Sequence, residues 1–296
     1  MITSNDIIDY AQLKCINKSI FKIYHLRPPD NLCGNSLTLL NNQEEFEELF
    51  FKAPSEVIAI IPESLESKSR KFNQTFILSP NPSLSFTLIV NRFFREPINY
   101  SIGEWVHIKN KGSIASEVRI GNFSSITGNV DIGSGTELGD SVSINGIVKI
   151  GENVSIGPGS RIGHKGFNYP TDENGIPNEF PHVGKVYIGN NVRIGANCTI
   201  ARGSLSDTVI CDNVKLDDQV HVAHNVKIGS NTLITACVEI SGSVSIGKNV
   251  WISPNSTIID HVTIGDDCKI GIGSVVTKNV CSNKSVAGNP ARVLRI

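Results

Sequence analysis

His224 and Gly242 lie eighteen residues apart, and His261 follows His224 by thirty-seven. An imidazole near neutral pKa can take a proton from an attacking nucleophile. A backbone N–H aimed at a carbonyl stabilises the oxyanion that forms as the carbonyl is attacked, and a residue without Cβ lets the acyl group come close. A base (His224), an oxyanion donor (the Gly242 amide) and a positioning imidazole (His261) are the parts that amide formation from a thioester requires. Residue types alone do not make the case, because His224 is one of seven histidines. The case depends on whether eighteen is a structural period.

The chain has a period of six: every sixth residue from Ile102 through Ile162 is Ile or Leu, and the pattern resumes at Ile188, Ile194 and Ile200 and again from Ile210 to Val276. A period of six fits neither a helix nor a plain strand; it fits short strands joined by sharp corners, with one aliphatic side chain pointing inward per face. Gly often follows the aliphatic residue, as in Ile120-Gly121 and Ile228-Gly229, and is expected to relieve crowding at the turn. The repeat resembles that of the left-handed β-helix acyltransferases, in which three hexapeptides make one coil; that resemblance implies that residues eighteen apart share one edge, about 5 Å apart, with His261 about 10 Å from His224. The expected fold is mainly β: a parallel β-helix over 101–280, preceded by a small α/β domain over 1–100 and followed by a tail, 281–296. Between Ile162 and Ile188 stand twenty residues more than one repeat needs. This excess, His164–Lys185, must leave the prism as a protruding loop, and Gly203–Asp207 form a second, smaller slip.

Residues 1 to about 100 lack the repeat. Glu56–Ile61 and Thr75–Leu78 read as buried strands, Asn42–Lys52 and Ser83–Phe94 as amphipathic helices. Net charge is −1 with 19% charged residues, which argues against a nucleic-acid partner. No apolar stretch approaches a membrane span, and Met1–Tyr10 lack the basic and apolar regions of a signal peptide, so a cytoplasmic protein is expected. Seven cysteines without a C-x-x-C pair suggest reduced thiols and no zinc site.

The segment IARGSLSDTVICDNVKLDDQVHVAHN, Ile200–Asn225, resembles the motif region of the UDP-3-O-acylglucosamine N-acyltransferases of lipid A synthesis. The resemblance implies a left-handed coil, which the handedness rule for parallel crossovers would not favour. It also implies His224 as base, Gly242 as oxyanion donor and His261 as second active-site histidine. Gly166-Phe167-Asn168-Tyr169 match that family's glycine-aromatic segment and Ala223-His224-Asn225 its alanine-histidine-asparagine motif, and Phe167, Tyr169 and Asn225 are expected substrate contacts. Leu37–Ile61 and the later NPSLSF resemble its uridine-binding domain, with Phe46 a candidate to stack on the base. The family assembles three-fold, so a homotrimer with sites between chains is expected.

The chain departs from that family at three points. Ala201 stands where the family has an aspartate before the arginine-glycine pair, and Leu39 or Leu40 where an aromatic is expected. The ending SVAGNPARVLRI resembles acetyl-CoA-dependent acetyltransferases of the same superfamily, with Gly273, Lys278, Lys284, Arg292 and Arg295 expected at the CoA. The reading is therefore N-acetylation, from acetyl-CoA or another acyl-CoA, of a nucleotide-linked amino sugar for a surface polysaccharide. The lipid A reaction, with a hydroxyacyl group on acyl-carrier protein, is the alternative. A metal-dependent β-helix carbonic anhydrase needs three histidines on one ion, and His224 and His261 are two coils apart, so no metal is expected. A non-catalytic scaffold is the remaining class.

Overall fold

The computed structural model describes residues 2–41 and 46–294, in two compact units, Met1–Pro97 and Ile98–Ile296. In the first unit the elements run α1 (Ser4–Ala11), β1 (Cys15–Ile16), β2 (His25–Leu26), β3 (Ser36–Leu39), α2 (Phe46–Lys52), β4 (Val57–Pro62), α3 (Glu66–Ser69), β5 (Thr75–Ser79) and α4 (Pro82–Phe93). The sheet order is β1-β5-β4-β3-β2, parallel except for the antiparallel β1. Residues 42–45, where the expected second helix begins, lie outside the described residues. β4 is apolar throughout because both its faces are covered. Val57, Ala59 and Ile61 pack with Phe46 and Phe50 of α2, while Ile58 and Ile60 pack with Ile7 and Ile8 of α1 and Ile89 of α4. A Thr3–Asp6 capping box starts α1, and the Asn81 side chain accepts from Leu84 N–H to start α4.

The second unit is a left-handed parallel β-helix with three faces. On the first face Ile162, Ile200, Val222, Ile240, Ile258 and Val276 stack in register. The other faces carry Ile188, Ile210, Ile228, Ile246 and Ile264, and Ile194, Leu216, Ile234, Ile252 and Ile270. All of these are buried, whereas Ile102, in the first coil with no coil beneath it, is 63% exposed.

Two inward rows exist rather than one. From Val118 onward, a small buried residue stands two before the aliphatic position: Val220, Val226, Thr232, Val238, Val244, Val250 and Ser256 form one run. The coil narrows at each corner, so only small side chains fit there. Where the residue is polar it bonds the backbone of the next coil: Thr232 Oγ1 donates to Gly247 O at 2.9 Å and Ser160 Oγ to Gly195 O at 2.8 Å. The glycine after the aliphatic residue also acts differently from expectation. A Cβ at Gly229 would lie 2.5 Å from Gly247 C, so the need is close approach between coils. The positive φ falls two residues later, at Asn213, Asn231, Asn249 and Asp267 among others. Those four form a side-chain ladder with N···O distances of 3.0, 3.2 and 3.1 Å. Nor does the prism end at 280: Ser285 and Val286 still pair with Lys269 and Ile270, and only Arg292–Val293 turn back antiparallel.

Both phase slips lie on one corner, between the first and second faces. The long loop leaves after Arg161–His164 and returns at Val186–Ile188. It is tied to the shorter insertion by Val183 N–H to Ser204 O at 2.8 Å and Lys185 N–H to Asp207 Oδ1 at 2.9 Å.

Candidate active site

The corner that carries both insertions also carries His224. Successive rungs set Arg202, His224, Gly242 and Asp260 above one another. Ser243 N–H donates to His224 O at 2.9 Å, and His261 N–H donates to Gly242 O at 3.0 Å. The eighteen-residue spacing therefore stacks His224 and Gly242 as expected. A Cβ built on Gly242 would lie 2.8 Å from His224 Cε1 and 3.0 Å from Nε2, so ring and backbone are in direct contact.

The Gly242 N–H has no hydrogen bond to any described residue. At the equivalent position of other corners this N–H is capped by a carboxylate from the next coil: Lys248 N–H by Asp266 at 2.8 Å, Ala196 N–H by Asp218 at 2.7 Å. Above Gly242 the equivalent residue is Asp260, which instead lies 3.9 Å from His261 Nε2 with its side chain exposed. The amide is thus free to meet a developing oxyanion.

A cavity of about 560 Å³ opens here, lined by His164, Phe167, Tyr169, His221, His224, Glu239 and Gly242 among others. The long loop forms one wall. Its Phe167 and Tyr169 rings pack with centroids 4.9 Å apart, and Lys165 pairs with Glu179 at 2.6 Å. Gly166 also approaches the base closely: a Cβ there would lie 2.8 Å from His224 Cδ2 and 2.8 Å from His182 Nε2.

Burial holds the pKa of His224 below the ordinary histidine value, helped by positive charge at His182 and then His261, with the Phe167 backbone acting the other way. A base that stays neutral at neutral pH is what proton abstraction requires. Burial also lowers His164, ahead of its cationic neighbours His221, Arg161 and Arg202. Burial raises the Glu239 carboxyl, and His221 opposes that rise.

The corner gathers His224, Gly242, Phe167 and Tyr169, but not every expected residue. His261 stacks by its backbone, yet its side chain is 77% exposed and does not line the cavity. It has the left-handed conformation of the corner, φ 60°, which turns the ring outward. Asn225 is engaged within the protein: its Oδ1 accepts from Ser204 N–H at 2.7 Å and its Nδ2 donates to Ser204 Oγ at 2.8 Å, pinning the shorter insertion. Phe46 is fully buried against Phe50, Phe72 and Phe76 and offers no face for a base. Near the C-terminus Lys278, Lys284 and Arg292 line a cavity of about 320 Å³, while Gly273 lies outside its lining and Arg295 falls outside the described residues.

His182 is the residue that spacing could not find. It sits in the loop, only 6% exposed, with its ring centroid 5.4 Å from that of His224. Neither of its ring nitrogens has a partner among the described residues. Among the described residues no group of three or more His, Cys, Asp or Glu is placed to hold a metal.

Fold and repeat are those of the left-handed β-helix class, and part of the chain matches models of hexapeptide-repeat transferases. The profile "Bacterial transferase hexapeptide (six repeats)" matches residues 207–242 and 243–278, and "Hexapeptide repeat of succinyl-transferase" matches 185–217. More particularly, the chain is similar to UDP-3-O-acylglucosamine N-acyltransferase of Bordetella pertussis, 50% identical over 86 residues, 28% of this chain and 24% of the relative. The enzyme of that name from Coxiella burnetii is 51% identical over 83 residues, again 28% and 24%. The match thus spans about a quarter of the length of these curated relatives. Among solved structures, LpxA from Acinetobacter baumannii superposes with a TM-score of 0.60 at 29% identity, over 66% of this chain and 74% of that one. The UDP-N-acetylglucosamine O-acyltransferase (LpxA) from Moraxella catarrhalis gives 0.57 at 26%, over 64% and 74%.

Proposed function

We propose that this protein is an amide-forming acyltransferase that acylates the amino group of a UDP-linked amino sugar from a thioester donor. The observation that carries the reading is the direct stacking of a neutral-leaning imidazole on an uncapped backbone N–H, in a cavity closed by an aromatic loop. In the reaction His224 takes the proton from the attacking nitrogen as the C–N bond forms. The Gly242 N–H holds the oxyanion of the tetrahedral intermediate. The C–S bond then breaks, and His224 returns the proton to the leaving sulfur.

The names of the curated relatives favour the lipid A type of reaction over the acetylation first read from the C-terminus. A long acyl group delivered on carrier protein is accordingly the leading donor. The acetyl-CoA reading keeps one specific support, the grouping of Lys278, Lys284 and Arg292 around one cavity. The Met1–Pro97 unit is the proposed nucleotide-recognition module; it has a cavity of about 400 Å³ lined by Asp30, Leu32, Leu49 and Lys52. The active assembly is proposed to be a homotrimer.

A thiol-release assay tests the reading, with UDP-3-O-acylglucosamine and UDP-glucosamine as acceptors, and hydroxyacyl-carrier protein and acetyl-CoA as donors. Turnover with a UDP-amino sugar and either donor supports it, and the preferred donor decides between the two versions. No turnover with any pair overturns it in favour of a scaffold. Light scattering showing a stable monomer at micromolar concentration would remove the trimer.

A further inference from the structure

Acylating an amine differs from acylating a hydroxyl by one proton. An amino-sugar nitrogen resembles an α-amino group, with a pKa of about 8, so at neutral pH it arrives mainly as the ammonium. Two protons must leave it: one before attack, to free the lone pair, and one after. His224 accounts for one and hands it to the leaving sulfur. Within the site another group is needed for the first.

Beside the His224–Gly242 stack stands a second stack on the same two rungs. Three residues before His224 is His221, and three before Gly242 is Glu239; the two pair in register on the first face. Both line the cavity that holds His224 and Gly242. The His221 ring is fixed by a 2.6 Å hydrogen bond between Nδ1 and Thr199 Oγ1. The Glu239 carboxylate has no hydrogen bond or ion pair among the described residues. The charged and titratable groups around it are His221 on the rung below and, across the cavity, His164, His224, Tyr169 and the Lys165–Glu179 pair. The rung above offers only Thr257. Lys165 is already paired with Glu179, and the His221 imidazole, which opposes the rise in the Glu239 pKa, is hydrogen-bonded to Thr199 rather than to Glu239. A half-buried carboxylate with no hydrogen-bond partner gains from a ligand that brings both a cation and N–H donors.

We propose that Glu239 binds the acceptor's ammonium and takes its first proton, so that this site selects amines over hydroxyls. The inference rests on the acyltransferase reading above. Glu239 carboxylate and R–NH3+ become the carboxylic acid and R–NH2. The freed lone pair attacks the thioester, His224 takes the second proton and passes it to the sulfur, and Glu239 releases its proton to solvent. The rise in the carboxyl's pKa on burial brings it closer to that of the amine and makes the first transfer easier.

The test uses the whole chain and the isosteric variant Glu239→Gln. Calorimetry at pH 7 compares UDP-glucosamine, which carries the cation, with UDP-N-acetylglucosamine, which does not. The expected result is a loss of about tenfold or more in affinity for UDP-glucosamine, with UDP-N-acetylglucosamine changed by less than about twofold. Retained binding of the second probe also shows that the variant is folded. Rates should diverge most below pH 8 and converge above it, where the amine is already free. Equal loss for both probes, or no loss for either, overturns the Glu239 role while leaving the acyltransferase reading to its own assay. If the wild-type chain binds neither probe, the UDP-amino sugar reading falls and this inference with it.

Discussion

Gly242→Ala makes the sharpest steric prediction. The added methyl would lie 2.8 Å from His224 Cε1 and 3.0 Å from Nε2. Ordinary van der Waals contact begins near 3.4 Å, so the ring must withdraw by about 0.6 Å. Its freedom to withdraw is limited by its neighbours: Gly166 lies close enough that a Cβ there would come within 2.8 Å of Cδ2 and 3.0 Å of Cβ, and the His182 ring centroid stands 5.4 Å from its own. The Gly242 N–H survives the substitution, so an oxyanion donor remains; what moves is the base. A displacement of this size in a reacting group is worth roughly 10–10²-fold in kcat. The backbone there is not in the positive-φ region, so melting temperature should change little. Steady-state thiol release and a thermal melt of the same preparation check both halves. Near-wild-type kcat would mean that His224 and Gly242 do not act together. A large fall in melting temperature would mean that the glycine serves the fold.

Other changes separate chemistry from support. The pH dependence of kcat should have its acid limb below the usual histidine value, because the base works only when neutral and burial lowers its pKa. His182→Phe keeps that burial but removes a positive neighbour, so the acid limb should move to higher pH; a pH–rate profile that stays put would refute the coupling. Asn225→Ala frees Ser204 and should cost about 1–3 kcal/mol of stability by denaturant titration, without the specific rise in acceptor KM that a substrate contact would give. Phe46→Ala should cost about 3–5 kcal/mol in the unfolding of the N-terminal unit, and nucleotide affinity lost without that destabilisation would return Phe46 to the binding site.

The β-helix was legible because its period is written in one residue type. Ile and Leu recur every six residues, and the structure buries them rung on rung. The second inward row was hidden because Val, Thr, Ser and Cys share only small size, as Val226, Thr232, Ser256 and Cys268 illustrate. The His224–Gly242 stack followed from arithmetic, since rungs convert eighteen residues into one vertical step. Arithmetic could not say which way a side chain turns at a left-handed corner, so it did not anticipate that the His261 ring lies outside the cavity lining or that Asn225 bonds Ser204. His182 lies in the loop, where no period runs, and only the fold brings it to His224. Glu239 was available to the same counting, three residues before Gly242, but the count alone gave it no role. Phe46 carried a usable signal: it and Phe50 are four apart, the spacing of a buried helix face.

The central claim is that His224 is the base of an acyl transfer. Its most direct test is kcat for His224→Ala beside wild type, at neutral pH and saturating donor and acceptor, with His221→Ala for comparison. The account predicts a fall of roughly 10²–10⁴-fold for His224→Ala, with acceptor affinity and fold retained, and a smaller loss for His221→Ala. A His224→Ala protein with near-wild-type kcat would contradict it.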